Sequence, residues 1–362
     1  MTALEKLDTR RGRAPVASLT ALSNYVRTRM PSVLAMNPRQ VSVDAERFAR
    51  NLDFVRKKPS TLPQNLRRQV MVDLKMLESA IVHSGLTAPR SLTALIDALA
   101  GPNEVKGLTY EDIVLTNRER TLRPKMVKKS IVAVPGQRKM RTFTNGAVGA
   151  SEAQFYKHHA DIEALLGKTI KAVRRALNAI QSGRPHNISA LLPTIRRDLD
   201  RVVHMTSQSG AMPSGHFGLF RTFLGSNVAR GARGPSGAFT ARVPTLEVML
   251  RGSNGLEASY RKSLDDHRAY LPQRDRAGLE RALGGPSLSD AHKKNPRSGE
   301  ILELIQVLDG FFSRFRSAHY GAVAKQVPEA LRGTVPGTAG ETDVAGYLKT
   351  RRNQPKPWIQ KV

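Results

Sequence analysis

The chain has 362 residues, 40% hydrophobic and 5% aromatic, with 58 Lys and Arg against 30 Asp and Glu, a formal net charge of +28. That balance is globular and excludes disordered or fibrous classes. The lack of cysteine excludes disulfides, iron–sulfur clusters, thiolate-ligated haem and cysteine zinc sites.

Residues 1–25, basic and then Ser/Thr/Ala-rich, read as a flexible lead-in. A smaller, mostly helical region is expected over 26–150, where Val70, Met71, Leu74, Leu77 and Ile81 recur at helical spacing and Pro89 and Pro102 mark breaks. Residues 112–150 read as irregular or β-like. Ile131 to Val134 is closed by Pro135-Gly136, and Thr144 to Ala150 reads as a linker or pocket rim. The third region, 151–362, is expected to be an all-α domain. Its first helix runs through Phe155, His159, Ile162, Leu165, Leu166, Ile170, Val173 and Leu177 to a stop at Gly183 and Pro185. A second covers about 187–203, and a third follows Ser207 to Gly215 through Phe217, Phe220 and Phe223. After a glycine-rich loop at 226–240, helices are expected at 241–249 and at 258–283, the latter interrupted at Pro272. Residues 284–298 read as Gly/Pro/Ser-rich connection. The longest helix is expected over 299–327, stacking Ile301, Leu304, Ile305, Leu308, Phe311, Phe312, Phe315 and His319 on one face. A loop around Gly337-Thr338-Ala339-Gly340 and a short helix with Val344, Tyr347 and Leu348 close the chain. The fold class is therefore mainly α, a helical bundle with a variable N-terminal portion.

No apolar run reaches the ~18 residues of a membrane span, and Met1 to Lys6 has no apolar signal core. A cytoplasmic protein without membrane attachment is expected, and a homo-oligomer is allowed. The surplus charge attracts polyanions, but no finger, RNP-like or KH-like signature accompanies it, so specific nucleic-acid binding is not expected.

Two histidines carry the candidate chemistry. His319 lies on an apolar helix face with Phe311, Phe312 and Phe315, and Arg316 is one turn back. A core histidine is the plain reading. A neutral imidazole is also a good haem-iron ligand, and arginine can neutralise a propionate. His159 has Phe155 and Glu163 one turn away on either side. A di-iron bundle would want Glu-x-x-His on two helices, a pattern the sequence lacks. Gly337-Thr338-Ala339-Gly340 lacks the lysine of a phosphate loop and reads as a mobile strap, with Thr338 able to meet a substrate.

Taken together, these segments resemble the tryptophan/indoleamine 2,3-dioxygenase superfamily of mostly helical haem proteins, including the bacterial branch that contains the pyrrolnitrin-pathway enzyme. Four pieces within residues 150–352 carry the likeness, in family order. Phe155-x-x-x-His159-x-x-x-Glu163 is similar to the distal helix. Ser209-Gly210-Ala211-Met212-Pro213-Ser214, leading to Phe220-Arg221, is similar to the haem-pocket segment. Arg316-Ser317-Ala318-His319 matches the proximal motif of the indoleamine branch. Gly337 to Asp343 before Tyr347-Leu348-Lys349 is close to the family's Gly-Thr loop. Departures are Arg221 where the indoleamine branch has an aspartate paired to its proximal arginine, Leu192 where a substrate-carboxylate arginine should fall, Ala339, and an inserted Glu341.

The resemblance implies haem b with His319 as axial iron ligand. Arg316 would anchor a propionate or orient the proximal side, and Ser209, Gly210 and Ala211 would let the macrocycle approach closely. His159 would be the distal catalytic residue. Phe155, Arg196 (one turn beyond Leu192) and Thr338 would contact an aromatic small-molecule substrate. The implied activity is a haem-dependent oxygenase using dioxygen on tryptophan, an indole or a related aromatic amino-acid derivative, by 2,3-dioxygenase-type ring cleavage. A haem monooxygenase or peroxygenase of secondary metabolism, and a basic helical nucleic-acid-binding protein without activity, are the alternatives.

Overall fold

The structure is a computed structural model and describes residues 15–101, 105–117, 122–127, 130–135, 140–213, 215–224, 240–271, 273–332 and 345–346. It is mainly helical and falls into two compact units. Of the described residues, those up to 157 and 215–224 belong to the first unit, and those within 158–213, 240–332 and 345–346 to the second.

In the first unit, helix α1 covers residues 15–24, part of the segment read as a flexible lead-in. Burial of Leu19 and Leu22 holds it, and the chain continues through a π-helical turn at Tyr25–Arg29. Helices α2 (Met30–Met36), α3 (Pro38–Asn51) and α4 (Asp53–Lys57) follow. Asn37 caps α3 by accepting from the Gln40 N–H, with Pro38 at the first helical position, where its missing N–H costs nothing. Helix α5 (Gln64–His83) is the axis of this unit: every residue from Gln69 to Ile81 is buried, including Asp73, Lys75 and Glu78. Their charges are met inside. Lys75 reaches Asp112 at 2.9 Å, and Arg141, fully buried, binds Asp73 at 2.5 Å. Helix α6 (Arg90–Leu99) starts directly after Pro89. The β-like stretch is an antiparallel pair, β1 (Leu122–Val127) and β2 (Ser130–Pro135), with Leu122 opposite Pro135 and Val127 opposite Ser130.

Helix α7 (Gly146–Gln181) is the longest helix among the described residues, 36 residues against 28 for α14, so the expectation that the 299–327 helix is longest is corrected. Residues 146–150, read as a linker, belong to its first turns. Gly149 is there for space: a Cβ would lie 2.5 Å from the Thr144 carbonyl oxygen. The buried Glu152 carboxylate ties the entry down, accepting from the N–H groups of Phe143 (2.8 Å) and Thr144 (2.9 Å) and from the Tyr156 hydroxyl (2.7 Å). The far end stops where expected. Gly183 takes a left-handed φ of 70°, and the Arg184 N–H returns to the Ala179 carbonyl at 2.8 Å.

The second unit continues with α8 (Leu192–Ser209), and α9 (His216–Arg221) belongs to the first unit. Then come α10 (Arg242–Arg251), α11 (Ala258–His267), α12 (Gln273–Leu283), α13 (Leu288–Lys294), α14 (Gly299–Gln326) and α15 (Pro328–Leu331). Helix α13 lies inside the stretch read as connection; Ser287 caps it, accepting from the Asp290 N–H and donating to the Asp290 carboxylate. Ser298 caps α14 in the same way at Ile301. One core joins Ile162 to Leu177 of α7 with Ile195, Leu199 and Val202 of α8, Leu246 to Leu250 of α10, and Ile301 to Phe312 of α14. Among the described residues, no helix is long and apolar enough to cross a membrane.

Candidate functional site

Helix α14 builds the candidate site from its apolar stripe. Phe311 and Phe312 are fully buried, Phe315 is half-buried, and the stripe emerges at His319, whose surface is open. Residues four apart lie above one another on a helix, so three rings form a ladder. Phe311 and Phe315 stack at 5.5 Å, and Phe315 and His319 at 6.2 Å with planes only 10° apart. The ladder fixes the imidazole plane.

His319 is exposed, and desolvation lowers its pKa below the ordinary histidine value, which favours the neutral imidazole.

Arg316, one turn before His319, turns inward. Its guanidinium lies 5.2 Å above the Phe312 ring and donates to the Glu247 carboxylate of α10 at 2.5 Å. Glu247 is fully buried and also faces Arg251 at 3.4 Å, and Arg251 meets Asp309 of α14 at 3.5 Å. Two guanidiniums and two carboxylates thus form a neutral interior cluster behind the His319 turn. The carboxylate facing Arg316 comes from Glu247, and Arg221 lies on α9.

The small-residue segment reaches the same helix. A Cβ on Gly210 would sit 3.1 Å from the Ala322 Cα, one turn beyond His319, so the glycine lets the end of α8 close on α14. Gln326 holds the segment there, donating to the carbonyls of Gly210 at 3.1 Å and Met212 at 2.8 Å. Ser209 donates back to the Met205 carbonyl of its own helix, and Ala211 is exposed. Ser209, Gly210 and Ala211 are thus gathered beside the His319 helix, and the contact Gly210 makes is with protein backbone.

The other candidates are placed differently. His159 is half-buried on α7, one turn before Ile162, where that helix enters the α14 core. Glu163 is buried: Thr240 donates to it at 2.5 Å, and Arg242 binds both its carboxylate and its carbonyl. Phe155 packs in the first unit against Phe217 at 5.2 Å and Phe220 at 5.6 Å. Leu192 is a core residue, and Arg196 is exposed, paired with Glu303 at 3.2 Å. Glu303 lies sixteen residues before His319 on α14, roughly 24 Å along the helix. Arg196 is therefore not brought to the His319 end. Thr338 and the Gly-Thr loop lie outside the described residues.

Among the described residues no group of three or more His, Asp or Glu converges in a way that could hold a metal ion. Neither a protein-family model nor a curated protein matches this sequence.

Proposed function

We propose that the protein is a haem-dependent oxygenase acting on an aromatic, indole-like small molecule, with His319 as the axial ligand of haem b. The observation that carries this reading is the His319 imidazole itself, open, kept neutral, and held in plane by stacking on Phe315. Bound there, the haem would supply the redox chemistry that activates dioxygen. The chain's own residues do the rest. Phe315 stacks alongside the imidazole and is itself backed by Phe311. The Arg316–Glu247 pair holds the turn of α14 that carries His319, the residue that would hold the haem. His159 is the candidate for holding the substrate's ring N–H or taking its proton on the opposite side.

Haem reconstitution tests the reading. Wild-type protein should develop a Soret band, His319→Ala should lose it, and His159→Ala should keep it while turnover falls by roughly a hundredfold or more, as expected for a general base. A wild type that takes up no haem, or a His319→Ala variant with unchanged ligation, refutes it. With labelled dioxygen, both atoms retained in one product identify ring cleavage.

A further inference from the structure

The exposed face of α7 carries a second feature, independent of the haem reading. Ala164, Lys168, Lys171, Arg175 and Asn178 are all exposed and follow one another at spacings of four and three, so they form one ridge. Arg174, half-buried, flanks it. The sequence has no acidic residue between Glu163 and Asp198, although Lys168, Lys171, Arg174, Arg175, Arg184, Arg196 and Arg197 all lie in that interval.

Several cations on other helices are neutralised one turn away. Arg47 pairs with Asp44 at 2.9 Å, Arg50 with Glu46 at 2.8 Å, Lys57 with Asp53 at 2.8 Å and Arg268 with Asp265 at 2.7 Å. Among the described residues, Lys168, Lys171, Arg174 and Arg175 have no such partner. They sit instead at like-charge spacings of three and four, which weaken a helix. An arrangement that costs helix stability and leaves cations uncompensated calls for an anion supplied from outside.

The ridge also restricts what that anion is. It has no bulky apolar side chain to sink into a lipid interface, and no aromatic anchor of the kind that makes protein–protein contacts. It presents charge alone, spread over roughly 10 Å from residue 168 to 175. A polymer whose surface is a regular row of phosphates fits that. We infer that this ridge of α7 docks the phosphodiester backbone of a nucleic acid without reading its sequence.

The test is binding of a fluorescent 20-base-pair DNA duplex to the full chain across a salt series. Replacing Lys168, Lys171, Arg174 and Arg175 by Gln keeps helix propensity and should weaken binding at least about tenfold, lowering the slope of log K against log salt by about 3. A control that removes the same charge from exposed positions elsewhere, Arg261, Lys262, Lys294 and Arg297 to Gln, should retain the wild-type slope. In the unaltered protein, bound duplex should protect Lys168 and Lys171 from acetylation, read by mass spectrometry. Equal losses in both variants, unprotected lysines, or phosphatidylserine vesicles bound in preference to the duplex would overturn the inference.

Discussion

Glu247→Gln should be among the most damaging single changes in the second unit. The carboxylate is fully buried, its partner side chains Arg316 and Arg251 are 10% and 3% exposed, and Asp309 is 11% exposed. Wild-type charges sum to zero within this cluster; the variant leaves one uncompensated guanidinium charge in the interior. Breaking a buried pair from one side costs about 3–5 kcal/mol, because the surviving ion keeps its desolvation penalty and loses its counter-charge. Removing both ions restores balance, since Arg251 and Asp309 remain as a pair. The double variant Glu247→Leu with Arg316→Leu should therefore be less damaging than Glu247→Gln alone, by about 2 kcal/mol or more. Urea unfolding of haem-free protein followed by circular dichroism gives both numbers. A Glu247→Gln cost below about 1 kcal/mol, or a double variant as unstable as the two single changes added together, would refute this account of the cluster.

Gly210→Val should destabilise haem-free protein by about 1–3 kcal/mol, since the added carbons press on the Ala322 backbone; an effect seen only as weaker haem uptake would argue for macrocycle contact instead. Burial pushes the Glu152 carboxyl up to about 7, against the pull of its donors Thr144, Phe143 and Tyr156. The folded chain then keeps a proton that the unfolded chain releases near 4.5, so the contribution of Glu152 to stability is fully present below about 4.5 and is lost as pH rises to about 7. Urea midpoints measured from pH 5 to 8 should show this decline, and Glu152→Gln should flatten it.

What the sequence reveals and what it hides divide along a physical line. The α14 stripe is legible because burial repeats every three or four residues, and the ladder from Phe311 to His319 follows from that period alone. Helix α13 is hidden by its Gly/Pro/Ser surroundings, although Ser287-Leu288-Ser289-Asp290 is a readable capping signal. The first turns of α7 look like a linker because small residues signal flexibility and close packing alike; only the Thr144 carbonyl beside Gly149 separates the two. Glu247 could not be found locally. In Thr245-Leu246-Glu247-Val248 it looks like any helix acid, and the arginine that gives it meaning is 69 residues away. The partners of Glu163 and Arg196 are hidden for the same reason: Thr240, Arg242 and Glu303 come from other elements.

Helix α5 has no wet side from Gln69 to Ile81. A helix that keeps one side in water can fray or breathe there while its neighbours stay in place; this one cannot, because every route for solvent to its amides passes through another packed element. The first unit therefore has no minor, partly opened form centred on its own middle. Its backbone protons at Val72 to Leu77 are released only when the whole unit comes apart, and that sets the threshold below which truncation or trimming of the surrounding helices stops being tolerated.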